Sequence, residues 1–163
     1  LGELVRQVEW PPELRAEALP HFARVAPEEA KSLVSTFYRS EKVPLQKAAL
    51  KTLTRLNSGD WVHMLQQEVS REGDVERRIL AVEAAGVHGV DEVGPELIRI
   101  LRNHNRDELR QAAAEALGRI PWSQSYEHLE EFSEDRDPVV RQRVNEGLIR
   151  QHGELGDDVL NEL

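Results

Sequence analysis

The chain has 163 residues, 31% charged and 39% hydrophobic, with a formal net charge of −9. It is long enough to bury a core and too apolar for a disordered segment, and its overall charge has the wrong sign for a general nucleic-acid binder, which displaces counterions with a basic surface. The absence of cysteine excludes disulfides, thiolate metal sites and cysteine nucleophiles, and fits a reducing compartment, with the cytoplasm favoured. No apolar run approaches the roughly 18–20 residues that span a bilayer. The chain opens on Leu1 and closes within the apolar-patterned stretch Asp157–Leu163, so it is read as a piece of a longer protein.

Helical periodicity runs from end to end and no strand pattern competes with it. Ten helices are predicted, over roughly 12–24, 28–39, 44–57, 60–71, 74–87, 94–103, 107–119, 124–133, 138–151 and 156–162. Pro12 and Pro44 open their helices. Ala26-Pro27-Glu28-Glu29 places a proline and two acids in a first turn, where the helix dipole favours negative charge. Asp74, Asp107, Ser123 and Asp137 are candidate N-caps, the last followed by Pro138. Asn57-Ser58-Gly59, the segment from Gly86 to Gly94, and Pro121 punctuate the pattern. Gly86-Val87-His88-Gly89 is read as a turn. The clearest helix is Asp107–Ile120, where Leu109, Ala112, Ala113, Ala116, Leu117 and Ile120 make one apolar stripe, half of it alanine, that lets a neighbouring helix approach closely.

That stripe repeats. Leu14, Leu45, Arg77, Leu109 and Val140 stand 31, 32, 32 and 31 residues apart. The next column is Arg15, Gln46, Arg78, Arg110 and Arg141. Ala18, Ala49, Ala81, Ala113 and Val144 follow one turn on, then Phe22, Leu53, Ala85, Leu117 and Leu148. A second half keeps the same beat: Val34, Leu65, Leu97, Leu129 and Leu160, then Phe37, Ile100, Phe132 and Leu163. Glu68 fills this last column in the second unit, where Val69 can substitute. The period implies stacked helical hairpins, each an A helix, a turn and a B helix, in units of about 11–41, 42–73, 74–105, 106–136 and 137–163 within one domain, 1–163. The fifth unit leaves Val159, Leu160 and Leu163 on an unshielded face, through which association with further chain or a partner is expected.

The stretch Asp137-Pro138-Val139-Val140-Arg141 to Leu148 resembles the HEAT repeat, as does Leu109–Ile120, and the nearest flavour is the short bacterial type of phycobilisome-lyase-like HEAT proteins. The likeness is strongest in units three to five. It departs at Arg77, Arg143, Glu17 and Gln46. The resemblance implies an all-α fold, a right-handed α-solenoid of about five hairpins that binds proteins on a concave face lined by B helices. It implies no chemistry, since fold alone does not give function.

The residues themselves point to no catalytic or metal site and no cofactor. His21 and His88 fall on inward stripes and are read as partly buried structural histidines. His63, His104, His128 and His152 are scattered, no H-E-x-x-H occurs, and the His-Glu dipeptides of HEAT-like metal-dependent hydroxylases are missing. There is no G-x-S-x-G and no glycine-rich phosphate loop. The arginine column is read as structural, each stem lying over the stack while its head reaches a carboxylate or an orphan helix carbonyl. Trp10, Trp61 and Trp122 are read as buried wedges at helix junctions.

Function is sought on the B helices. Their outward columns read Ser32, His63, Pro95, Glu127; Ser35, Gln66, Ile98, Glu130; Thr36, Gln67, Arg99, Glu131; and Arg39, Ser70, Arg102, Glu134. The face therefore starts neutral at Gln66 and Gln67, turns basic at Arg99 and Arg102, and ends acidic at Glu127, Glu130, Glu131 and Glu134, beside Asp135. A non-catalytic scaffold binding a protein or peptide of basic character is the leading reading. A solubilising face accounts for the same charges. The alternatives are a lyase-type or chaperone subunit for bilin attachment, implied by family resemblance alone, and a base-glycosylase-like HEAT fold. The latter needs a basic groove with aromatic probes and a catalytic acid, and the acidic fourth unit opposes it.

Overall fold

The computed structural model describes residues 1–56, 60–121 and 125–161, the side chains of residues 152 and 154–161 excepted. Among them are ten α-helices, one 3-10 turn and no strand. They divide into two compact units, Leu1–Trp61 and Val62–Leu163.

The first unit holds α1 (Gly2–Arg6), α2 (Pro12–Val25), α3 (Pro27–Tyr38) and α4 (Val43–Leu53). Helix α2 packs against α1, α3 and α4, and α3 against α4. The core is Val5, Leu19, Phe22, Val34, Phe37, Leu45, Leu50 and Leu53, spaced by Ala18, Ala23, Ala30 and Ala49. Helix α1 was not foreseen, because five residues carry too little periodicity to read. It covers only part of the face that a full hairpin covers in later units, so Leu14 at the head of the anchor column is 43% exposed. Trp10, expected to be a wedge, is exposed at the α1–α2 connection, its Nε1–H donating to Gln7 Oε1 at 3.1 Å. His21, expected to face inward, is exposed, since Ala18, Leu19, Phe22 and Ala23 take that stripe. Helix α4 stops at Leu53, four residues short of the expected end.

The second unit holds α5 (Val62–Ser70), α6 (Val75–His88), a 3-10 turn (Asp91–Val93), α7 (Gly94–Asn103), α8 (Asp107–Leu117), α9 (Ser125–Glu130) and α10 (Pro138–Asn161). Helices α6, α8 and α10 pack in succession as the A layer, and α5, α7 and α9 each pack on an A helix as the B layer. The repeated columns form the core: Leu65, Ala81, Ala85, Leu97, Leu109, Ala113, Leu117, Leu129, Val140 and Val144 are buried. The small residues do what their size allows. A Cβ on Gly86 would stand 2.8 Å from Ala116 Cα, and one on Gly118 would stand 2.7 Å from Gly147 Cα, so α6, α8 and α10 meet nearly backbone to backbone. Gly86 is accordingly helical. The turn falls at Gly89, whose φ of 61° is the left-handed conformation that ends a helix cheaply only with glycine.

Caps follow the side-chain chemistry. Asp74 accepts from the Arg77 N–H at 3.1 Å. Asp137 accepts from the N–H groups of Val139 and Val140 at 2.7 and 3.2 Å. A hydrogen bond from Gln111, then those two N–H bonds, hold the Asp137 carboxyl below its ordinary range. Asp107 is not a cap: α8 begins at it, and its carboxylate turns to Arg110 instead. Ser123, Trp122 and Asn57-Ser58-Gly59 lie outside the described residues. The break expected between 151 and 156 does not occur. Helix α10 runs unbroken from Pro138 to Asn161, because the glycines at 153 and 156 weaken a helix by about 1 kcal/mol each without stopping it, and no proline intervenes. The last unit is therefore one long helix and not a second hairpin pair.

The arginine column is the recurring tie. Arg15 Nε donates to Val5 O at 3.0 Å, Arg78 Nε to Val69 O at 2.6 Å and Arg110 Nε to Leu101 O at 2.9 Å. Gln46 and Arg141 do the same with other atoms, to Ser40 O and Asp135 O at 2.6 and 2.5 Å. The start of an A helix thus caps a carbonyl in the last turn of the helix before it at Val5, Val69 and Leu101, where four C=O groups otherwise lack partners, and a carbonyl in the connection that follows the helix at Ser40 and Asp135. The two charged intruders in apolar columns, Arg77 and Glu68, pair with each other through Arg77 Nε and Nη2 at 2.6 and 2.5 Å, with Glu68 only 2% exposed.

Gly118→Ala or Gly147→Ala forces α8 and α10 apart and lowers stability in urea denaturation by about 1–3 kcal/mol. Gly153→Ala, with nothing within 4 Å of the added carbon, is neutral or stabilising by up to about 1 kcal/mol. Arg110→Ala strands Leu101 O and the buried Asp135 carboxylate, and lowers stability by about 3–5 kcal/mol. A loss within 0.5 kcal/mol of zero would show that the tie carries no weight.

Candidate functional site

The B layer of the second unit carries most of the residues read as outward. Gln66 is half-buried and Gln67 exposed on α5, where Gln67 Nε2 meets His63 Nε2 at 3.0 Å. Arg99 and Arg102 are exposed on α7, Glu127 and Glu130 on α9, and Glu131 and Glu134 on the turn that follows it. Ile98, assigned to an outward column, is buried, because Leu97, Ile98, Ile100 and Leu101 form a stripe wider than one column. Ser32, Ser35 and Thr36 sit on α3 and Arg39 caps its C-terminus, in the first unit.

The charges are not independent, as a list of columns would suggest. Arg102 Nε and Nη2 grip Glu131 across 29 residues, the shortest contact being 2.6 Å. His128 Nδ1 lies 2.9 Å from the other carboxylate oxygen. Hydrogen bonds from Arg102 first, then from His128, hold Glu131 below the ordinary glutamate range. Arg99 binds Glu96 through Nε and Nη2 at 2.8 and 2.7 Å. The step from basic to acidic is thus bridged from within. The signal was present in the sequence: 29 is one 32-residue repeat less one helical turn, so opposite charges at that separation meet diagonally across neighbouring B helices.

Glu127, Glu130 and Glu134 project outward from the acidic end. Glu127 and Glu134 have no ion-pair partner among the described residues. Glu130 engages Tyr126, whose hydroxyl is pushed up by burial and then by the charge and hydrogen bond of Glu130. Among the described residues no three His, Asp or Glu side chains gather closely enough to hold a metal ion, and no helix is long and apolar enough to cross a membrane.

The family model of HEAT repeats matches residues 62–149, more than half of the chain and nearly all of the second unit outside the end of α10. The chain belongs to the HEAT-repeat family. HEAT repeats are generally non-enzymatic scaffolds that mediate protein–protein interaction. A search of curated proteins finds no match.

Because the folded pKa of Glu131 is depressed, its pairing stabilises the protein above the ordinary glutamate value and is lost as pH falls below about 4. The stability difference between the parent and Glu131→Gln is therefore expected to shrink as pH is lowered from 7 to 3. A difference that stays constant in urea titrations across that range would contradict the ion-pair account.

Proposed function

We propose that the chain is a non-catalytic scaffold that captures a protein segment of basic character on the acidic end of its B layer. The observation that supports this best is the pair Glu127 and Glu134. Both are exposed, and both lie without a counter-charge in a layer where Glu96 and Glu131 are already paired. Glu130 lies beside them on α9. Like charges on neighbouring turns repel by a few tenths of a kcal/mol per pair, and a partner's Lys or Arg relieves that repulsion on binding. Glu131, in contrast, belongs to the Arg102 bridge and contributes by holding the turn after α9 against α7. The family's general role as an interaction scaffold supports the same reading. The exposed carboxylates give rise to steering and salt dependence more than to tight affinity, so anchoring contacts come from the partner's shape.

A fluorescently labelled Lys/Arg-rich peptide of about 15 residues, titrated by anisotropy at low salt, tests the surface. Glu127→Lys, Glu130→Lys and Glu134→Lys together are expected to weaken binding by at least tenfold, about 1.4 kcal/mol. Arg99→Gln should leave binding within twofold. Unchanged binding by the triple variant, or equal binding of an acidic control peptide, would remove the assignment.

A further inference from the structure

A cavity of about 330 Å³ opens between the start of α6 and the end of α7, within the size range of ligand sites. Val75 and Ile100 form its apolar wall, and Arg78, Arg99, Asn103 and His104 give it polar lining. Three of these side chains bring hydrogen-bond donors with no partner among the described residues. Arg78 spends Nε on Val69 O and Nη2 on Glu96, leaving Nη1. Arg99 spends Nε and Nη2 on the same Glu96, leaving its own Nη1. His104 accepts the Arg106 N–H at Nδ1, 3.0 Å away, which puts its proton on Nε2 as a further donor. One carboxylate, Glu96, thus serves two guanidinium groups.

The next repeat shows what such a site takes. Thirty-two residues on, Arg78 becomes Arg110, Ile100 becomes Phe132 and Asn103 becomes Asp135. There a second cavity opens between the same parts of the fold, lined by Arg110, Phe132 and Asp135. In it the Asp135 carboxylate binds Arg110 Nη2, and Asp107 stands beside Arg110 Nη1. The earlier repeat has the neutral Asn103 and the apolar Val75 at those two positions. Its buried arginine, 6% exposed, draws its one intrachain carboxylate from Glu96 instead, shared with Arg99, and Nη1 is left without the second carboxylate that Asp107 offers Arg110.

We infer that this cavity is a binding site for the carboxylate side chain of an aspartate or glutamate from a partner protein, seated against Arg78, Arg99 and His104 as Asp135 is seated against Arg110. A singly charged group fits better than a phosphate. Arg78 and Arg99 exceed the one carboxylate bonded to them, Glu96, by a single charge, and Glu72 on the rim offsets that excess, so the lining has no surplus to hold a dianion. Positive potential at the site is consistent with His104: burial first, then the charges of Arg78, Arg106 and Arg99, hold its imidazole below the ordinary histidine value. The site lies one repeat before the acidic α9 surface and does not depend on it.

The test uses the full chain, labelled for side-chain NMR and titrated with N-acetyl-aspartate N-methylamide, with the asparagine analogue as control. As a lone fragment it is expected to bind with a Kd on the order of millimolar. The expected result is a saturable shift of the His104 ring and the Arg78 Nε–H with the aspartate compound only. Asn103→Asp places a carboxylate in the seat from within, and should weaken that response at least tenfold while raising the His104 pKa. Asn103 is exposed, so the substitution leaves folding intact, and Arg99→Gln gives a second, independent weakening. No saturable shift, an equal shift with the asparagine compound, or a response unchanged in Asn103→Asp would overturn the inference. Inorganic phosphate saturating the site at lower concentration than the aspartate compound would overturn the choice of a carboxylate.

Discussion

A single polar contact recurs through both compact units and fixes each A helix against the segment before it: a side-chain N–H near the start of the A helix donates to a backbone carbonyl of that segment. Val5, Ser40, Val69, Leu101 and Asp135 are the five acceptors. The apolar columns could slide by a turn and still bury much of their area, since alanine and leucine stripes are repetitive. A hydrogen bond to one carbonyl cannot slide. At Val5, Val69 and Leu101 it also settles an orphan C=O group of a helix end, where leaving it unpaired inside the protein costs about 1–3 kcal/mol. Gln46 shows that the bond does not require the charge, because a neutral amide makes it in the one unit whose column position lacks arginine.

Burying the arginine creates a second obligation. A guanidinium held at 4–6% exposure, as at Arg110 and Arg78, needs a carboxylate nearby, since an unpaired buried charge is strongly destabilising. The units meet this need differently. Arg110 draws on Asp135 and Asp107, Arg78 on a Glu96 that it shares with Arg99, and Arg15 lies with its guanidinium carbon 5.1 Å from the centre of the Phe37 ring. The Nε bond is constant and the outer partner varies. Variation among units is therefore concentrated at the rim between the A and B layers, where a ligand can reach it.

What could be read from the chain follows the range of the physics. Columns 31 and 32 residues apart exposed the hairpins because burial is set by short-range periodicity, and buried Leu65, Leu97 and Leu129 lie where the columns place them. Asp74 and Asp137 were legible as caps because a cap acts within three residues. The structural role of the arginine column was legible too, from its place beside the anchor. Leu14 and Trp10 were misplaced because the short helix α1 beside them is invisible to periodicity, and His21 because Ala18, Leu19, Phe22 and Ala23 take the inward stripe of α2. Helix α10 was divided at glycines that tax a helix without ending it. The charged side chains read as outward are exposed on α7, α9 and the turn after it, but their pairing was not legible, because Arg102 and Glu131 meet through a diagonal that emerges only once two repeats are packed.

Those pairings change what the B layer is. Four glutamates and two arginines, counted singly, describe two opposed patches. With Glu131 bound to Arg102 and Glu96 to Arg99, the layer becomes a neutralised middle bounded by unpaired acids at Glu127 and Glu134. Farther from α9, donors without acceptors remain at Arg78 and His104. A scaffold built on one constant bond per unit can afford this uneven surface, since stacking does not rely on the outer charges. The residues that differ between repeats at equivalent positions, Asn103 against Asp135 and Glu96 against His128, consequently decide how each buried arginine is satisfied and which of its donors stay uncommitted.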